Sequence, residues 1–107
     1  MSVFELRQYK VRDGCMPAWL DLMEAEILPY VISKGMVFNA SFRGETDASV
    51  YVWLRRFEDE ADRERKYAAV YESDHWKSNL SPKIGRLLIR EDAVIHRLTP
   101  TALSPLQ

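Results

Sequence analysis

The chain has 107 residues, 47% hydrophobic and 29% charged, the make-up of one ordinary globular domain spanning residues 1–107. Its formal net charge of -1 offers no electrostatic ground for binding nucleic acid or an anionic membrane. The single cysteine, Cys15, excludes an internal disulfide and a cysteine-based metal site, and no apolar run reaches the roughly 20 residues that span a bilayer.

The start, Met1-Ser2-Val3-Phe4-Glu5, lacks the basic-then-apolar pattern of a secretory leader, so a cytoplasmic protein is expected. Residues 3 to 11 read as a strand. Phe4 and Leu6 share one face; Val3, Glu5, Arg7, Tyr9 and Val11 share the other. Asp13-Gly14 ends it with turn chemistry. Residues 16 to 33 read as a helix, with Trp19, Leu22, Met23, Ile27, Tyr30 and Val31 forming an apolar stripe. Pro29 interrupts that helix and predicts a kink near Leu28, and Gly35 is a plausible C-terminal cap.

Residues 36 to 43 alternate as a half-buried strand with Met36, Phe38, Ala40 and Phe42 inward. A turn at Gly44-Glu45-Thr46-Asp47 makes this strand and the next an antiparallel hairpin. The next strand, residues 50 to 57, has an aliphatic face of Val50, Val52 and Leu54. Its other face carries Tyr51, Trp53, Arg55 and Phe57. Residues 59 to 72 read as a second helix whose acidic start, Asp59, Glu60 and Asp62, suits the positive end of the helix dipole. Its Arg63, Glu64, Arg65 and Lys66 read as a solvated face. A short third helix is anchored by Trp76 through Ile84, Leu87 and Leu88, residues 89 to 98 are a last strand, and residues 99–107 are a C-terminal tail.

The order β-α-β-β-α-β is the ferredoxin-like α+β pattern, a four-stranded antiparallel sheet with both main helices on one face. The aliphatic strand faces suit those helices. The face with Glu5, Arg7, Tyr9, Tyr51 and Trp53 holds amphipathic rings and paired charges, suited to a pocket wall or an interface. A second copy of the chain, related by a twofold axis, is the expected cover, so that two sheets enclose those residues in a dimeric α+β barrel.

Glu5-Leu6-Arg7-Gln8-Tyr9 with Gly14 after it, Trp53-Leu54-Arg55-Arg56-Phe57, Arg63 in the following helix and Ser73-x-x-Trp76 together resemble the NIPSNAP family. That family belongs to the dimeric α+β barrel superfamily. The resemblance covers residues 3 to 98 and implies a ferredoxin-like protomer, a homodimer and a cavity. Single-domain members of bacterial type mostly have no assigned activity. The superfamily includes monooxygenases, isomerases and haem-degrading enzymes, which makes a cofactorless monooxygenase- or isomerase-like enzyme the catalytic expectation. Haem degradation would need an Asn beside Trp53 and His96, and no Asn is placed there.

The candidate ligand-binding residues are Glu5, Arg7, Tyr9, Tyr51, Trp53, Arg55 and His96. Glu5 and Arg7, two apart on one strand and joined by Arg55, read as a charged pair for a small polar substrate, with Tyr9 and Tyr51 as hydroxyl donors. The same pair read structurally is an ion pair that neutralises itself and fixes register, the favoured of the two readings. Trp53 would stack on a flat ligand or pack an interface. His96 has the pKa range of a general base, but alternation in the last strand leaves its face open. His75 and His96 are not at ligand spacing, and there is no glycine-rich phosphate loop or nucleophile elbow, so no metal and no cofactor are expected. The expected partners are a second copy of the chain and a small molecule bound between helix and sheet or between two sheets. A non-enzymatic dimeric interaction module is the alternative.

Overall fold

The computed structural model describes residues 1–107. Four strands, β1 (Val3–Val11), β2 (Val37–Arg43), β3 (Val50–Phe57) and β4 (Leu88–Leu98), form one antiparallel sheet in the order β2-β3-β1-β4. Three helical segments cover one face of it: α1 over residues 16–33, α2 over Glu60–Tyr71 and α3 over residues 76–87. This is the ferredoxin-like arrangement that the element order predicts.

Both α1 and α3 contain a π turn, and in each the turn ends just before a proline. Residues Met23–Ile27 wind as a π turn in α1, where the Leu28 N–H donates to the Met23 carbonyl five residues back. Residues Trp76–Leu80 do the same in α3, where Ser81 N–H reaches the Trp76 carbonyl. Pro29 and Pro82 follow directly. A proline ring in an α-helix collides with the carbonyl four residues earlier; a wider turn moves that carbonyl aside. The disturbance expected from Pro29 is therefore an inserted residue one turn ahead of it. Gly35 then ends α1 at φ +92, a left-handed conformation that suits glycine.

At the start of α2 the Asp59 carboxylate accepts from the Asp62 N–H at 2.8 Å, and Asp62 accepts from the Glu58 N–H at 2.9 Å. The acidic run is thus a pair of reciprocal caps as well as a dipole partner. Ser73 caps α3 in turn, accepting from the Trp76 N–H at 3.2 Å while it accepts from the Tyr30 hydroxyl of α1 at 2.5 Å.

The helices pack on the opposite side of the sheet from the one expected. Tyr51, Trp53, Arg55 and Phe57 of β3 and Glu5 of β1 are buried beneath them. The aliphatic residues Leu6, Val52 and Leu54 lie on the uncovered face and are half-buried. A second copy is not what covers the ring-bearing face; the chain's own helices do. Their inward stripes are themselves rich in rings, with Trp19, Tyr67, Tyr71 and Trp76 packed into the core. Aromatic edges meet aromatic faces, as Trp19 does with Tyr51 at 5.6 Å and 80° between planes.

Strand β2 departs from strict alternation. Its register on β3 shifts between Phe38 and Ala40. Phe38 faces the core, with its ring 6.5 Å from that of Trp53. The extra residue then turns Ala40 and Phe42 to the uncovered face, opposite Leu54 and Val52, and Phe42 is 63% exposed. The expectation that both point inward is corrected by this bulge.

Candidate functional site

Beneath α1, α2 and α3 lies a cavity of about 500 Å³, walled on the sheet side by β1, β3 and β4. Thirteen of its fifteen lining residues are hydrophobic; the other two are Arg7 and Arg90. All three tryptophans of the chain, Trp19, Trp53 and Trp76, line it. The geometry comes from strand alternation. Arg7 and Tyr9 stand two apart on the covered face of β1, with Trp53 opposite Arg7 on β3 and Ile95 opposite it on β4. Strand β4 bulges between its pairings with Gln8 and Lys10, and Arg90 and Ala93 of that segment line the cavity. Arg90 is tied to the Ser81 carbonyl and hydroxyl at the start of the last turns of α3.

One end of the cavity is backed by a buried charge network. Arg55, fully buried, donates from Nε to Glu5 Oε1 at 2.9 Å, and its Nη2 stands 2.8 Å from the same oxygen. The Tyr67 hydroxyl lies 2.7 and 2.6 Å from the two Glu5 oxygens and 2.8 Å from Arg55 Nη2. The Tyr71 hydroxyl accepts from Arg55 Nη1 at 2.6 Å. Burial alone would raise the Glu5 pKa. The Arg55 charge, hydrogen bonds from Tyr67 and Arg55, and Arg7 outweigh it and hold the carboxyl below its ordinary value. Burial raises Tyr9 and Tyr67, and it pushes Tyr51 up to about 12.

Two buried donors of residues that line the cavity meet no acceptor. Arg7 uses Nη1 on the Tyr67 hydroxyl at 3.2 Å, while its buried Nε meets no acceptor. Trp19 is 1% exposed and its Nε1 also meets no acceptor. The Tyr9 hydroxyl accepts from Trp53 Nε1 at 3.1 Å, which leaves its own proton to give.

Of the residues singled out from the sequence, Arg7, Tyr9 and Trp53 line the cavity. Glu5 and Arg55 sit behind its wall as each other's partners, and Tyr51 is buried against Trp19 and Tyr9. His96 pairs with Leu6 on the uncovered face and takes no part in the cavity. Tyr67, Tyr71 and Arg63 belong to the network and were not singled out. Their i, i+4 spacing places them on one face of α2. Arg63, expected in solvent, reaches Glu5 at 3.7 Å and lies over the Tyr67 ring. No cluster of His, Cys, Asp and Glu capable of holding a metal ion is present, and no helix is long and apolar enough to cross a membrane.

The solved structures similar to this chain share its whole fold. A NIPSNAP family protein of unknown function from Agrobacterium tumefaciens is 28% identical with a TM-score of 0.87, over 99% of this chain and 94% of that one. A second NIPSNAP family protein from the same organism is 24% identical with a TM-score of 0.86, over 100% of both chains. An uncharacterized NIPSNAP domain protein from Burkholderia xenovorans is 20% identical with a TM-score of 0.83, over 96% of this chain and 98% of that one. No curated protein matches the chain. The NIPSNAP family profile covers residues 4–105, nearly the whole length, and the chain belongs to the NIPSNAP family.

Proposed function

We propose that this NIPSNAP protein binds a small organic molecule in the cavity between its helices and its sheet. The observation that carries the reading is the cavity: about 500 Å³, walled mostly by rings and aliphatic groups, with a few polar groups on one side. That is the size and make-up of a small-molecule site. A module that only dimerises would fill its interior with side chains and pair every charge internally. The open edge of Arg7 argues for the binding reading over that alternative.

The catalytic form of this reading is a cofactorless monooxygenase- or isomerase-like reaction. The free groups on the cavity wall are donors, which suit charge that develops on a substrate oxygen. The homodimer belongs to the same proposal, with its interface moved to the uncovered face. That face carries Leu6, Val37, Phe42, Val52, Leu54 and Val94, an apolar patch that a second copy would bury by a twofold contact.

Tryptophan emission tests the reading, since every tryptophan borders the cavity. Titration with a panel of small aromatic compounds is expected to quench or shift emission saturably. Ala93→Phe, which adds bulk at the exposed bulge segment without removing a core group, is expected to abolish the response with little change in Tm. A saturable response that survives Ala93→Phe undiminished would place binding elsewhere and overturn the reading.

A further inference from the structure

We infer that the ligand is an anion: an apolar or aromatic carboxylic acid whose carboxylate sits on Arg7 and whose body fills the ring-lined part of the cavity. This deepens the cavity-binding reading and rests on it. The argument begins with charge. Four guanidiniums, Arg7, Arg55, Arg63 and Arg97, share two carboxylates, Glu5 and Glu60. Arg55 takes Glu5 at hydrogen-bond distance, whereas Arg7 stands 3.6 Å from the same oxygen and Arg63 stands 3.7 Å from the other. Arg63 has Glu60 at 3.4 Å as a second partner, and Arg97 also pairs with Glu60. Arg7 has no second carboxylate. Of these four it is the least compensated, and it is the one of the four that lines the cavity.

The geometry of its free edge sharpens the class. Nη1 donates to Tyr67, and Nε has no acceptor; Nε–H with the neighbouring Nη2–H is the side of a guanidinium that donates to both oxygens of a carboxylate. The neighbouring polar groups are donors as well. Trp19 Nε1 is buried without an acceptor, and the Tyr9 hydroxyl, which has already accepted from Trp53, has a proton to give. The Tyr9 ring is 5.9 Å from that of Trp19 and 5.6 Å from the Arg7 guanidinium carbon, so the three converge on one part of the wall. No carboxylate lines the cavity; its one other charged residue is Arg90, a second cation. Buried donors without acceptors are costly, and a carboxylate oxygen is the acceptor that relieves them. The remaining wall, from Met23 and Ile27 to Trp76 and Ile84, is hydrophobic, which asks for a body with no further charge.

The test compares a matched pair of probes, phenylbutyrate and its neutral amide phenylbutyramide, by calorimetric titration at neutral pH. Wild-type protein is expected to bind the acid at least about tenfold more tightly than the amide, since a bidentate charge-assisted contact outweighs a neutral one. Arg7→Met is expected to erase that preference while the amide binds as before, and Trp19→Phe is expected to reduce it in part. Thermal unfolding of each variant checks that the fold persists. Should Arg7→Met fail to fold, the pH dependence of the wild type serves instead: acid binding is expected to fade as the ligand is protonated while amide binding stays level. Equal affinity for the two probes would overturn the anion assignment and leave the cavity reading standing. Silence from both would overturn both.

Discussion

At the residue scale, the governing fact is that Glu5 is a single buried carboxylate facing three guanidiniums. Replacing it strands those cations in a dry site, and breaking a buried pair from one side costs about 3–5 kcal/mol. Glu5→Gln is therefore expected to lower stability by about 3 kcal/mol or more in urea unfolding. Replacing both partners, Glu5→Leu with Arg55→Met, is expected to recover part of that loss because neither charge is then left alone. A double variant no better than Glu5→Gln would mean that Tyr67 and Tyr71, rather than the pair, hold the network together. The same residue sets the acid limit. Its folded pKa lies below the ordinary carboxyl value, so its contribution is in place above about pH 4.3 and drains away as pH falls through the folded value. The Tm is expected to drop on that acid side, and Glu5→Gln is expected to flatten the drop. At the alkaline end the sign reverses. Tyr51, raised to about 12 by burial, holds its contribution below its ordinary pKa and loses it as pH climbs toward that figure. Tm should decline across that range, and less steeply in Tyr51→Phe.

At the element scale, strand and helix identities were legible because their periods differ, and the two-faced character of β1 and β3 was visible in alternation alone. Which face the helices would choose was not. Alternation says that Val52 and Trp53 oppose one another; it does not say which meets Met23 and Tyr67. Polarity alone matches oily side chains to the helices and rings to a partner. The helices instead carry rings of their own, and Glu5, buried with Arg55 and two tyrosines, could be satisfied only under them. The same blindness explains β2, where a one-residue bulge at Asn39 exchanges the faces of Ala40 and Phe42 without altering composition. Pro29 predicts a kink or change of direction near Leu28; the structure accommodates the proline with a π turn over Met23–Ile27, which the pattern does not show because an inserted residue leaves both flanking stripes intact. That resolution is testable. Deleting the exposed Ala25 should convert the π turn to an α turn and set Pro29 against the carbonyl four residues back, a cost of about 3 kcal/mol. Deletion of Ala25 combined with Pro29→Ala should regain most of that cost, since Trp19 and Val31 then keep their faces in an unbroken α-helix. Thermal unfolding of the two variants decides it; equal Tm values would mean that the wide turn answers to packing and not to the proline.

At the scale of the whole molecule, the helices close one side of the sheet and leave the other uncovered, the face of the proposed twofold contact. The C-terminal tail covers only a corner of that other side, where Phe4, Leu54 and Leu98 line a small cleft with Pro100 and Leu106, and Arg56 donates to the Gln107 carbonyl at 2.7 Å. Beyond that corner Val37, Phe42 and Val94 are 41%, 63% and 43% exposed. Val52 stands in the middle of this face, between Gln8 of β1 and Phe42 of β2. In a twofold contact every residue is used twice, so a charge placed near the axis meets its own copy as well as losing water. If the proposed dimer forms through this face, light scattering is expected to show a dimer for the wild-type chain and a monomer for Val52→Glu at the same concentration. The substituted side chain points away from the cavity, so the response of Trp19, Trp53 and Trp76 to a bound aromatic probe should survive in the monomer, somewhat weakened if the second copy steadies the sheet. A Val52→Glu chain that remains a dimer would move the interface off this face. A monomer that has lost the probe response while keeping a cooperative unfolding transition would tie the cavity to assembly, and the site would then have to be counted as a property of two chains.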